Sequence, residues 1–251
     1  MNEKAKERTH LLIKNVSSPL METDPEFAEI IANFSQSEVI EAGRLSEKDR
    51  MLCILSVLLG CQGLGEFTHM LHASLNLGID PAAIKEVVYQ AAAYLGIGRT
   101  YDYLIKTNEV MKAHGIFLPL SSQKTTNEKN RFEKGLAKQV SLFGEQMAKR
   151  QTEGPALRRN INRWLADNCF GDYYTRTGLD DRERELITFC FILAQGGCEN
   201  QLRGHIAGNF GVGNDKEKLY QAVEQCVPYI GYPRSLNAMN MIDEAAAKFE
   251  K

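Results

Sequence analysis

The sequence has no apolar run close to the roughly 20 residues needed to span a membrane. It has no long basic stretch, and its net charge is only −2. No membrane partner and no nucleic acid partner is therefore expected. The opening residues, MNEKAKERTHLLIKN, are charged and lack the apolar centre of a secretory signal. The expectation is a cytoplasmic protein. Cysteine is present, but not in any metal or disulfide pattern. Cys53, Cys61, Cys169, Cys190, Cys198 and Cys226 form no C-x-x-C pair, which argues against a zinc site and against a disulfide framework. Cys53, Cys190 and Cys226 lie in apolar helical stretches and read as small core residues. Strand alternation is missing as well.

What the chain does have is itself, twice. RLSEKDRMLCILSVLLG (44–60) aligns with GLDDRERELITFCFILA (178–194), Leu45 on Leu179 and Arg50 on Arg184. GEFTHMLHASLNLGI (65–79) aligns with ENQLRGHIAGNFGV (199–212) and puts Glu66 on Glu199, His72 on His205 and Asn76 on Asn209. IKEVVYQAAAYLGIGR aligns with LYQAVEQCVPYIGYPR, matching Gln90, Tyr94 and Arg99 to Gln225, Tyr229 and Arg234. The offset stays between 133 and 135, so the insertions are small. The segment LPLSSQKTTNEKN is polar and contains proline, as a linker does. The expected organisation is an N-terminal extension (1–24), repeat one (25–117), the linker (118–130) and repeat two (131–251).

Each repeat reads as helices. Ser46 and Asp180 suit helix N-caps, and Glu183 completes a capping box with Asp180. Asp80 followed by Pro81 starts another helix. Glycines at 78, 96, 115, 196, 211 and 231 stop helices. Apolar residues recur at spacings of three and four. The fold class is all-α, with two homologous helical domains. Trp164 is expected to anchor a core, and Tyr94 and Tyr229 to line a core or a cleft wall. Arg50 and Arg184 are expected mainly to join helices or subunits.

These residues resemble the carboxymuconolactone decarboxylase family, which also holds the alkylhydroperoxidase D-like proteins. The resemblance rests on Phe170-Gly171, Arg176 to Leu179, Arg184 to Thr188, Glu199 to His205, Gly211, and Tyr229 to Pro233 in that order. It covers residues 155–250 well and 25–115 more loosely. It implies a homo-oligomer with threefold symmetry, in which three tandem chains mimic six units, and a small-molecule substrate.

The family offers two chemistries. The decarboxylase branch implies a carboxylated unsaturated lactone or a related acid and no metal or redox cofactor. The electron density left by carbon dioxide must be delocalised and protonated, which calls for a proton donor near neutral pH and a cation for a carboxylate. His205 in repeat two and His72 in repeat one are the implied acid–base residues, with Glu199 and Glu66 at the family's glutamate position. Arg176, Arg184, Arg203 and Arg234 are candidate carboxylate clamps. Glu199 and His205, six residues apart, lie about 240° around and about 9 Å along a helix, so they do not touch within it. Glu199 and Arg203 are spaced for a surface pair.

The peroxidase branch implies a C-x-x-C-x-x-x-H motif. Here it falls on Cys198, Gln201 and His205, and in repeat one on Gly65, Thr68 and His72. The two-cysteine cycle is thus ruled out at this motif. What remains is peroxiredoxin activity by Cys198 as a lone thiol at a helix start, with an external reductant. Glu185, in the preceding helix, is placed to supply a carboxylate to a relay, and its counterpart in repeat one is Met51. A non-catalytic helical module for assembly or ligand binding is the third reading. Glu66, His69 and His72 rotate steadily around their helix and make a poor metal set. His10 and His114 have no evident partners in sequence and read as solvent-facing or capping.

Overall fold

The computed structural model describes residues 1–12 and 18–249. Among them there are helices and no strands. The chain enters through α1 (Glu3–Leu12), α2 (Leu20–Thr23), α3 (Pro25–Asn33), a π-helical turn at Phe34–Glu38 and α4 (Val39–Ala42). Repeat one continues with α5 (Glu47–Gly60), α6 (Leu64–Asn76), α7 (Pro81–Leu95) and α8 (Ile97–Ala113). Next come α9 (Arg131–Phe143), α10 (Gln146–Thr152), α11 (Arg159–Trp164) and a longer π-helical segment at Leu165–Tyr174. Then α12 (Asp181–Gln195), α13 (Glu199–Gly211), α14 (Lys216–Ile230) and α15 (Tyr232–Phe249) repeat the order of α5 to α8. The protein is all-α, with two homologous helical domains.

The caps form as their residue types dictate. Asp180 accepts from the Glu183 backbone N–H at 2.8 Å, and Glu183 accepts from the Asp180 N–H at 3.0 Å. Ser46 caps α5 through the Asp49 N–H at 3.0 Å.

Helices α5 and α12 are apolar nearly all round, and such helices belong in the middle of a fold. Arg50 to Gly60 and Arg184 to Ala194 are buried without a break. The two helices pack on each other. At Gly60 a β-carbon would sit 2.7 Å from both the Ala194 Cβ and the Phe191 carbonyl oxygen, so only glycine permits the approach. The domains interlock across this contact. The first core joins Leu52, Phe67 and Val87 to Leu179, Ile187 and Phe191. The second joins Phe189, Ile206 and Val223 to Cys53 and Val57.

The 118–130 linker packs as a strap: Leu118 and Leu120 pack on the first core, and buried Thr126 donates to the Gly171 carbonyl at 2.8 Å. One expectation needs correcting. Trp164 is no core anchor, since 57% of it is exposed. Leu157 and Ile161 are exposed with it, so the apolar stripe of this stretch faces outward.

Candidate functional site

The site is assembled around α12, which carries Glu185, and α13, which carries His205. His205 Nδ1 lies 2.9 Å from Glu185 Oε2. The carboxylate is fully buried, while the imidazole keeps 13% of its surface exposed. With Nδ1 engaged, Nε2 is the nitrogen left to face a ligand. The ring is wedged between aromatic edges, with Tyr94 and Phe143 each at 5.4 Å between centroids and nearly perpendicular. Gly208, one turn beyond His205, keeps the carboxylate in place. A β-carbon there would lie 2.5 Å from Glu185 Oε2 and 2.9 Å from Phe143 Cε1. Asn209 locks the crossing by donating to both the Glu185 and the His205 carbonyls, at 3.0 and 2.7 Å.

Behind Glu185 runs a buried chain of donors. Tyr174 donates to Glu185 Oε1 at 2.9 Å, which uses its single proton. Thr188, 2.8 Å from the Tyr174 oxygen, must then donate to it. Tyr94 also donates to Tyr174, at 2.9 Å, and Gln90 donates to Thr188 at 2.8 Å. The Cys169 thiol completes the line at 3.8 Å from the Tyr94 oxygen. Every donor thus points toward Glu185. Burial raises both phenols well above the ordinary tyrosine value, with the Cys169 thiol raising Tyr94 further and the Glu185 charge raising Tyr174 further, so both keep the protons they donate. Burial also pushes the Cys169 thiol up to about 12, so it is an inert thiol. The π-helical segment does the positioning. Its wide turn aims Cys169, Phe170 and Tyr174 inward together, as π-helical insertions at functional sites commonly do.

The structure sorts the sequence candidates. His205 and Glu185 meet. Glu199 is exposed and does not join them. Cys198 sits at the N-terminus of α13, accepts from Gln195 Nε2 at 3.1 Å, and lines a small cleft of about 60 Å³ with Leu193, Arg234 and Met241. No hydrogen bond among the described residues joins it to His205. Arg184 is fully buried and binds Glu86 at 3.1 Å and Gln90 at 2.6 Å, so it ties α12 to α7. Arg176 holds Glu86 at 2.9 Å. Arg203 pairs with Glu244 at 3.3 Å and not with Glu199. Arg234 makes no ion pair among the described residues and lies against Gly196 beside Cys198.

Repeat one builds a different centre. Met51, fully buried, stands where Glu185 stands in repeat two, so His72 has no carboxylate behind it. Its Nδ1 instead meets Nε2 of His114 at 2.9 Å; His114 is half-buried at the C-cap of α8, so of its two readings the capping one holds. Burial lowers the His72 pKa below the ordinary histidine value, and the charges of His114 and His69 lower it further. Glu66 turns to His69 at 3.2 Å and raises its pKa. The described residues hold no cluster of metal-ligating side chains.

Tyr174, Thr188, Gln90, Phe143, Cys169 and Gly208 were not singled out as site residues from the sequence, whereas Tyr94, expected to line a core or a cleft wall, does line the site. The one usable sign was the longer LADNCFGDYYTRTGL of repeat two, which is where the second π-helical segment forms. The carboxymuconolactone decarboxylase family pattern matches residues 25–105 and 160–244. The 4-carboxymuconolactone decarboxylase of Acinetobacter baylyi is 29% identical over 119 residues, which are 47% of this chain and 88% of that protein. A crystal structure described as a gamma-carboxymuconolactone decarboxylase subunit, from Burkholderia xenovorans, superposes with a TM-score of 0.56 at 18% identity. That superposition covers 100% of this chain and 99% of the other, and shows the shared fold. With the family pattern falling on both repeats, this chain belongs to the carboxymuconolactone decarboxylase family.

Proposed function

We propose that the chain releases carbon dioxide from a small carboxylated unsaturated lactone, or a closely related acid, by acid–base chemistry at His205. The reading draws on the family and on the named activity of the Acinetobacter relative. The observation that carries it is the buried Glu185 carboxylate, 2.9 Å from Nδ1 of an imidazole that remains partly exposed. In the reaction the bond from the ring carbon to the carboxylate carbon breaks. Its electron pair passes into the unsaturated lactone, and carbon dioxide leaves. Nε2 of protonated His205 then delivers a proton to the carbon that received the density. Glu185, held by Tyr174, balances the imidazolium before transfer and fixes the ring afterwards. The aromatic edges of Tyr94 and Phe143 limit water beside the ring and so strengthen both electrostatic contacts.

Repeat one lacks the carboxylate, so turnover belongs to repeat two. The test is carbon dioxide release from carboxymuconolactone by the whole chain and by His205→Gln, Glu185→Gln and His72→Gln. General acid–base groups contribute roughly 100-fold or more, so the first two variants should lose at least that and the third little. A folded chain with no turnover, or equal activity in His205→Gln, removes the proposal.

A further inference from the structure

A separate cavity of about 650 Å³ opens between α7, α8 and the strap that follows α8. It does not include His205 or its partners. Lys85 and Tyr89 come from α7, Asn108 and Lys112 from α8, and Arg176 from the far side, with residues 118–123 forming one wall. The size falls in the range of small-ligand sites.

The charge of the wall is unbalanced. Three cations, Lys85, Lys112 and Arg176, face a single carboxylate, Glu86. That carboxylate is buried and already satisfied twice, by Arg176 at 2.9 Å and by Arg184 at 3.1 Å. Lys85 is the telling group, because it is only 6% exposed. Its ammonium donates to the neutral Asn108 side chain and meets no carboxylate among the described residues. Burial accordingly lowers its pKa. Lys85 and Arg176 both approach the Tyr89 ring, at 5.6 and 5.2 Å from its centroid, so two positive groups converge on one small region. A buried cation without a counter-charge is costly, and a second one beside it adds repulsion. An anion in the cavity removes both penalties.

We propose that this cavity binds a small dianion, its negative charge shared between Lys85 and Arg176 on one side and Lys112 on the other. Two carboxylates or a phosphate satisfy the same three cations. The site is independent of the chemistry at His205.

Calorimetric titration of the whole chain with succinate and, separately, with inorganic phosphate tests it. Saturable binding of one ion per chain is expected from at least one of them, and the tighter one identifies the preferred group. Lys85→Met should weaken that binding by about tenfold or more, the loss of ~1.4 kcal/mol. Lys112→Gln changes an exposed side chain and leaves the fold intact, and it should weaken binding several-fold. His205→Gln should bind as the unaltered chain does. Failure of both ions to saturate, unchanged affinity in Lys112→Gln, or loss of binding in His205→Gln overturns the proposal.

Discussion

At the scale of single residues, the site depends as much on a missing side chain as on those present. Gly208 has open backbone dihedrals for any residue, yet its β-carbon position is occupied by the Glu185 carboxylate at 2.5 Å and the Phe143 ring at 2.9 Å. Neither neighbour is free to swing away. Glu185 is held by Tyr174 and His205, and Phe143 packs at 5.9 Å between centroids against Phe170. Gly208→Ala should therefore push the carboxylate off the imidazole, at a cost of about 1–3 kcal/mol in stability. A displacement near 1 Å should lower carbon dioxide release by roughly 100-fold. Gly204, on the same helix with nothing within 4 Å of its β-carbon position, is the control, because alanine there should be neutral or stabilising. Thermal melts and turnover measured on both variants check this, and equal behaviour of the two would refute it. Residue identity in the sequence carried part of this site. His205 stood out by recurring as His72, and Glu185 by its place in the preceding helix. Tyr94 was legible only as a core or cleft-wall residue and Tyr174 not at all, because no local spacing encodes their meeting beside Glu185. Glu199 was singled out by its place in the family pattern, but helix geometry already separated it from His205, and it lies exposed to solvent.

At the scale of elements, duplicated helices hold different chemistry because single positions diverged on them. α5 and α12 share caps and an apolar run that are readable directly from composition. The Glu185-to-Met51 difference then leaves the α6 histidine to find another partner, His114 at the end of α8. Two ring nitrogens 2.9 Å apart need one donor and one acceptor, so the pair does not tolerate two protonated rings. The sign of the pH effect follows. The His72 pKa is lowered in the fold by burial and then by His114 and His69, so the unfolded chain, with a value near 6.5, takes up the proton first. The contribution is fully present above about pH 6.5 and is lost progressively as pH falls toward the lower folded value. His69, raised by Glu66, acts in the opposite direction. Its stabilisation is present below about pH 6.5 and fades as pH rises through its folded value. His114→Gln keeps a donor beside Nδ1 but removes the second titrating ring. An NMR titration should place the His72 pKa below the ordinary value in the unaltered chain and closer to it in the variant. The reverse order would contradict the pairing. The strap at 118–130 shows what composition alone does not carry. Its polar residues read as a linker, and single residues within it, Leu118, Leu120 and Thr126, fasten it to the fold.

At the scale of the whole molecule, the duplication appears on the outside as well as in the core. PEFAEIIANF (25–34) resembles PALRRNINRW (155–164), and Phe27 and Ile31 of α3 are exposed, as are Leu157 and Ile161 at the matching places of repeat two. Ile97 and Tyr101 begin α8 at 62% and 57% exposure, and Tyr232 and Leu236 begin α15 at the same two values. One chain therefore presents two copies of each apolar face. Scattered exposed apolar residues need no explanation, but matched sets on equivalent helices point to a surface that is covered by something. A contact between unlike faces propagates around a ring and closes when the rotation allows. The family resemblance implies a ring of six units, and because each chain supplies two, three chains would complete it. Light scattering on the whole chain should accordingly give three times the chain mass. Trp164, the sole tryptophan, lies on the outward stripe with Ile161 and offers a built-in reporter. Its 57% exposure in the isolated chain should fall on assembly, which would slow acrylamide quenching of its fluorescence. Ile161→Glu places a charge on that stripe without touching either core, so it should give a folded single chain whose tryptophan is quenched faster. A single-chain mass for the unaltered protein, or quenching no slower than in Ile161→Glu, would show that these faces stay open to water.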